Sequence, residues 1–322
     1  MDRRSFVIGA AAAASSLLIA RPRPARAAAT LKFVYPYTSG SGGDTLARVL
    51  ADDLEKKLGR SAIVENKPGA DGRLGVREVK HAEPDGNTLL FTPFAPMTLF
   101  PSVFADLPYD PFKDFAPVTQ VVTFDFGLAT GPMTGAKTLA DVVAWLKQNP
   151  DKANVAVPGL GTLPHLLPLK FAADAGIKLK AISYKGTAGS LTAVMGGQVP
   201  LACVPLGDLV AQSRAGTINL LAASGKVRDP LVKEVPTFIE QGYKISGSGW
   251  YGMFAPAKTP AAEIDKLNKA LVDSIHGETF RQKAQSVWLN PTGTTPQELG
   301  AIQKADAELW APVIKAADLP PR

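Results

Sequence analysis

Leu31-Lys32-Phe33-Val34-Tyr35-Pro36-Tyr37-Thr38-Ser39-Gly40-Ser41-Gly42-Gly43-Asp44 decides the fold. Residues 31–35 form a short apolar run stopped by Pro36, the pattern of a buried strand. Residues 36–43 are a loop dominated by glycine and serine. Asp44 then suits the N-cap of a helix. Leu46, Val49, Leu50, Leu54 and Leu58 recur at helical spacing, while Asp52, Asp53, Glu55, Lys56 and Lys57 take the outer face. Gly59 is suited to end it. Strand, glycine-rich loop and helix together are the unit from which parallel α/β sheets are wound.

The unit recurs along the chain. Strands are expected at residues 62–65, 88–92, 154–157, 179–184, 199–204, 218–223 and 250–256. Helices are expected at 73–81, 163–175, 260–276 and 296–317. Two more follow Lys185-Gly186-Thr187 and Pro205-Leu206-Gly207. Two sets of such units predict two lobes, each a doubly wound, mostly parallel α/β sheet. The C-terminal part is expected to return to the first lobe. Lobe 1 would then comprise residues 28–126 and 249–322, and lobe 2 residues 127–248. The chain would cross near 124–128 and 246–250, and two crossings make a hinge.

Length and composition agree. The chain has 322 residues, 46% hydrophobic and 20% charged, which suits about two globular domains. Its net charge of +6 is concentrated at the start, where Arg3, Arg4, Arg21, Arg23 and Arg26 face one acid, Asp2. Without residues 1–27 the net charge falls to 30 − 28 = +2. No basic stripe remains, so no nucleic-acid partner is expected. That first segment has a charged start, an apolar run from Phe6 to Ala20 and the small-residue site Ala25-Arg26-Ala27. This is the layout of a cleavable export signal, with cleavage after Ala27 and a periplasmic destination. Arg3-Arg4 followed by Phe6 resembles a twin-arginine signal. The single cysteine, Cys203, sits in an apolar run and reads as a small buried hydrophobe.

In open α/β sheets ligands bind beyond the carboxyl ends of the strands. Here those ends carry little charge. In the first loop, Tyr37, Thr38, Ser41, Gly42, Gly43 and Asp44 combine hydroxyls with glycines whose N–H groups a ligand can approach, at the positive end of a helix. Pro158, Gly159, Gly161 and Thr162 repeat the design in the second lobe. Tyr184, Lys185 and Gly186 could add a phenol and an ammonium. Two anion-friendly loops facing each other suit a small carboxylate better than a large cofactor. Asp44 is most simply a cap. His81, His165 and His276 are far apart, and neither HExxH, CxxC nor GxSxG occurs, so neither metal, cofactor nor catalytic residue is expected. Gly247-Ser248-Gly249-Trp250-Tyr251-Gly252 matches a dinucleotide fingerprint by letters but precedes a strand, not a helix.

These residues also carry a family resemblance over nearly the whole exported chain. Its pieces include Tyr35-Pro36-Tyr37 with Gly42-Gly43-Asp44 and Ala47-Arg48, Val64-Glu65-Asn66-Lys67-Pro68-Gly69-Ala70, Pro84-Asp85-Gly86-Asn87-Thr88-Leu89-Leu90, and Gly161-Thr162 with His165. Tyr184-Lys185-Gly186, Gly196-Gly197-Gln198-Val199, Val235-Pro236-Thr237 and Tyr251-Gly252 with Ala255-Pro256 complete it. In order and spacing they resemble the periplasmic receptors of tripartite tricarboxylate transporters, the Bug proteins. The resemblance implies a Venus-flytrap fold and reversible binding of a small organic carboxylate by backbone amides, hydroxyls and water. It further implies a monomer that works with the membrane subunits of such a transporter. A sensor docking on a signalling receptor and an exported hydrolase are the alternatives. The first loop is longer than the family's usual proline–glycine–glycine form, so a pocket of different size is expected.

Overall fold

The computed structural model describes residues 30–184 and 186–317. The expected export signal at 1–27, with its cleavage after Ala27, lies outside the described residues, as does Lys185. The first third of the chain runs β1 (Leu31–Tyr35), α1 (Gly42–Leu58), β2 (Ala62–Asn66), α2 (Arg73–Lys80), β3 (Thr88–Pro93), the short helices α3 (Ala95–Thr98) and α4 (Phe100–Val103), and β4 (Phe115–Phe124). Then come β5 (Phe126–Thr130), α5 (Leu139–Gln148), β6 (Asn154–Val157), α6 (Leu163–Asp174), β7 (Lys180–Ser183), α7 (Gly186–Met195), β8 (Leu201–Pro205), α8 (Leu206–Arg214) and β9 (Asn219–Ala223). The chain closes with β10 (Gly249–Pro256), α9 (Ala261–Ile275), α10 (Glu278–Ser286), β11 (Asn290–Pro291) and α11 (Pro296–Ala316).

These strands form two sheets, the basis of a two-lobed α/β fold. The first has the order β11-β4-β10-β3-β1-β2 and the second β7-β6-β8-β5-β9. In the first sheet β2, β1, β3 and β4 share one direction, and β10 and β11 oppose them. In the second, β7, β6, β8 and β9 run together and β5 opposes them. The sheets are thus mostly parallel but mixed. The reversals of β5 and β10 have a common origin: each enters a sheet directly from the other one. The first passage is a single residue long, Asp125, between Phe124 and Phe126. Buried Ser224 stitches it to the second passage: its Oγ accepts from Phe126 N–H at 2.9 Å and donates to Gly247 O at 2.6 Å.

β1 shows why the unit folds as it does. Leu31, Phe33 and Tyr35 pack under Leu46, Leu50 and Leu54 of α1, whereas Val34 turns to Val76 and Val79 of α2. All four strand side chains are buried, which explains an apolar run in place of an alternating one. Helix α1 starts three residues earlier than a cap at Asp44 would place it. Ser41 is the N-cap, its Oγ accepting from Asp44 N–H at 3.2 Å, so Asp44 stands in the first turn. Gly59 ends the helix in the left-handed conformation, φ +61°, its N–H donating to Glu55 O. Cys203 is buried in the second lobe, and burial raises its thiol pKa.

Candidate functional site

A cavity of about 580 Å³ opens between the two sheets. Its first wall comes from Tyr35, Tyr37, Thr38, Ser41, Pro93, Phe94, Ala95 and Tyr251. Its second wall comes from Pro158, Gly159, Thr162, Pro164, Gly186, Thr187 and Pro205, and Phe124 and Phe126 close it at the chain passage. Tyr35, Pro93 and Pro205 end β1, β3 and β8, and Pro158 follows β6. The cavity therefore lies at the carboxyl ends of parallel strands, where such sheets place their ligands. Three helices begin on its walls: α1 after its cap Ser41, α6 after its cap Thr162, and α7 at Gly186. Each directs the positive end of its dipole to the same space. None of the described lining residues carries a formal charge.

The structure sorts the residues expected from sequence into two groups. Tyr37, Thr38, Ser41, Pro158, Thr162 and Gly186 line the cavity. Gly42, Gly43, Asp44, Gly161 and Tyr184 are not among its lining residues. Asp44 is buried and fully engaged. Its Oδ2 accepts from Gly40 N–H at 3.0 Å and Arg48 Nε at 3.1 Å, and its Oδ1 from Arg48 Nη2 at 3.0 Å and Asn66 Nδ2 at 2.9 Å. Burial works against its charge, yet Arg48, the Gly40 amide and Asn66 outweigh it and hold the pKa below the ordinary carboxylate value. Asn66 also donates to Tyr37 O at 3.1 Å. This network fixes the first loop against α1 and β2.

In the second loop Gly161 has φ +74°, a conformation that favours glycine. Its N–H donates to His165 Nδ1 at 3.1 Å, so that amide is turned to the buried imidazole. Thr162 Oγ1 donates to Gly159 O at 2.8 Å, tightening the turn. Tyr184 packs at the edge of the apolar cluster of Ala129, Ala156 and Val204.

Sequence reasoning missed most of the aromatic lining. Tyr35, Phe94, Phe124, Phe126 and Tyr251 lie on strands or at their ends and read there as core. Tyr251 stacks on Phe91 with ring centroids 5.4 Å apart and stands 5.8 Å from Phe124. Tyr35 Oη and Ser41 Oγ share a hydrogen bond of 2.8 Å, and Tyr37 Oη donates to Asp71 O at 3.2 Å. Burial, first among the causes, raises the pKa of Tyr35, Tyr37 and Tyr251, so all three keep their protons. A larger hollow of about 700 Å³ lies between α6 and α11, flanked by the Lys170–Asp174 ion pair. It lies away from the strand ends that feed the cleft.

Residues 46–319 match the family model described as the tripartite tricarboxylate transporter family receptor. The chain belongs to that family. Solved relatives agree with the architecture of this receptor. It is 29% identical to the periplasmic binding protein BugD, with a TM-score of 0.75 over 91% of this chain and 99% of that one. An R. palustris protein solved with adipate is 27% identical, TM-score 0.79, over 91% and 98% of the two chains. MatC from Rhodopseudomonas palustris, solved with bound malate, is 28% identical, TM-score 0.74, over 88% and 98%. The receptor's relatives are thus periplasmic binding proteins, some holding small carboxylates in their structures.

Proposed function

We propose that this receptor is exported to the periplasm, captures a small organic carboxylate in the cavity between its sheets and passes it to a membrane permease. One observation carries this reading: three helix starts, from both sheets, converge on a cavity whose described lining is free of charged side chains. Such a site attracts an anion without a fixed counter-charge. The adipate and malate seen in relatives make a carboxylate the natural anion. The ligand would touch Thr38, Ser41, Thr162 and Thr187 and the backbone around them. Asp44, Asn66 and His165 would hold the two loops in place.

Magnitudes indicate what else the ligand must supply. A helix start contributes about 0.3–2 kcal/mol to an anion. Three together reach roughly 6 kcal/mol at best, whereas micromolar affinity corresponds to about 8 kcal/mol before the cost of association. Burial of the ligand's apolar body, at about 25 cal/mol per Å², must make up the difference. That burial requires both walls, so binding favours the closed arrangement of the lobes.

Isothermal titration of the purified protein, refolded to remove retained ligand, tests the reading. A small carboxylate should bind at one site per chain, and its uncharged amide should not. Silence across mono-, di- and tricarboxylates would overturn it. For delivery, uptake of that ligand by cells should require both this protein and a membrane permease.

A further inference from the structure

The cavity lining is of two kinds: the helix starts supply hydroxyls and backbone, and the chain's passage between the sheets supplies an aromatic floor that reaches the start of α1 through Tyr251. At the floor, where the chain passes between the sheets, the surface is built from Phe124, Phe126, Tyr251, Phe94, Pro93 and Pro205. The floor is braced by ring contacts and strand pairing. Phe124 and Phe126 flank the one-residue passage with ring centroids 5.4 Å apart and planes at 64°. Phe126 is paired with Pro205 across β5 and β8, and Tyr251 with Pro93 across β10 and β3. Tyr251 and Phe94 are braced from behind by Phe91 and Trp250.

The polar side chains nearby are largely committed to the protein. Ser41 is bonded to Tyr35 and to the Asp44 amide, Thr162 to Gly159 O, and Tyr37 to Asp71 O. The floor thus offers flat ring faces and a single hydroxyl, that of Tyr251 beside Tyr35. A second carboxylate there would lose its water for at most that one phenol. Aromatic rings favour a flat partner that meets them by edge or offset face.

We infer that the occupant is an aryl monocarboxylate, its carboxylate at the helix starts and its ring on the floor around Phe124 and Phe126. This inference rests on the carboxylate reading and narrows it to a class unlike adipate and malate, the dicarboxylates of the relatives.

Titration of refolded wild-type protein with benzoate, 2-naphthoate, hexanoate, adipate, malate and benzamide tests it. An aryl carboxylate should bind at least tenfold more tightly than hexanoate, adipate and malate, and benzoate at least tenfold more tightly than benzamide. Adipate, malate or hexanoate binding as well as the aryl acids would overturn the inference while leaving the carboxylate reading intact. Benzamide equal to benzoate, or silence across the whole panel, would overturn both. Phe124→Leu and Phe126→Leu keep an apolar side chain in place. With an unchanged melting temperature, either should lose about tenfold in affinity for 2-naphthoate and less than threefold for hexanoate. Equal losses for both ligands would count against a ring seat on these side chains.

Discussion

Ser248 donates its hydroxyl to Asp125 Oδ1 across 2.6 Å, joining the two passages of the chain between the sheets. Asp125 is buried, and burial is the main cause that lifts its pKa to about 6. Asp229 pushes the same way, while Ser248 and the Gly225 amide oppose the rise. Asp125, Lys226 and Asp306 border one hollow, and Trp250 Nε1 donates to Asp306 Oδ2 at 2.7 Å.

The sign of the pH effect follows. Between the ordinary aspartate value and about 6, the unfolded chain has released a proton that the folded chain keeps. Asp125's contribution to stability is therefore full below about pH 4 and is lost as pH rises through 6, a change of roughly 3 kcal/mol. Asp125→Asn should flatten that part of the melting-temperature profile between pH 4 and 7. An unaltered slope in the variant would exclude Asp125 as its source.

Neighbouring glycines in the first turn of α1 should respond in opposite ways. A Cβ on Gly43 would lie 2.6 Å from both Tyr251 Cε1 and Tyr35 Oη, two groups fixed in the aromatic cluster. A Cβ on Gly42 would meet Leu289 at 3.7 Å, an ordinary contact. Gly43→Ala should cost about 1–3 kcal/mol by overpacking, and Gly43→Val should abolish ligand binding. Gly42→Ala should be neutral or slightly stabilising, since alanine is the better helix former. Thermal melts paired with titration check both, and a harmless Gly43→Val would contradict the proposed wall.

Asp44 offers a test of positioning without contact. Asp44→Ala leaves Arg48, Asn66 and the Gly40 amide without their shared acceptor. Hydrogen bonds to charged groups contribute about 1.5–3 kcal/mol each, so a loss of at least about 2 kcal/mol is expected. Affinity should fall too, with dissociation faster, because the loop holding Tyr37 and Thr38 loosens. Stopped-flow dissociation rates identical to wild type would show that the loop holds its shape without the carboxylate.

Legibility in the sequence followed local chemistry. β1, β6 and the course of α1 were readable because apolar runs, helical spacing and Gly59 agree on one answer. The start of α1 was not, because Ser41 and Asp44 are both good capping residues and only tertiary contacts choose between them. β4, β5 and α5 went unread. Pro117 interrupts the apolar pattern of β4, and burial on both faces hides its periodicity. The hydroxyls and glycines of the site stood out because loops rich in them are unusual. The aromatic floor did not, because a buried phenylalanine that lines a cavity has the same sequence signature as one that fills a core.

The pairing of the strands also sets an order of assembly. All strands of the second sheet fall between Phe126 and Ala223. In the first sheet, Thr92 of β3 pairs with Gly252 of β10, and β10 alone joins β3 to β4. Such distant pairings are slow to form. Pulsed hydrogen exchange during refolding should show β6 and β8 amides protected before those of β10. During synthesis the half-built first sheet must therefore keep bare edges along β3 and β4 until residues 249–256 arrive, and a bare edge recruits other chains. The lobe begun first is the last to be sealed, and the chain is most exposed to mispairing in that interval.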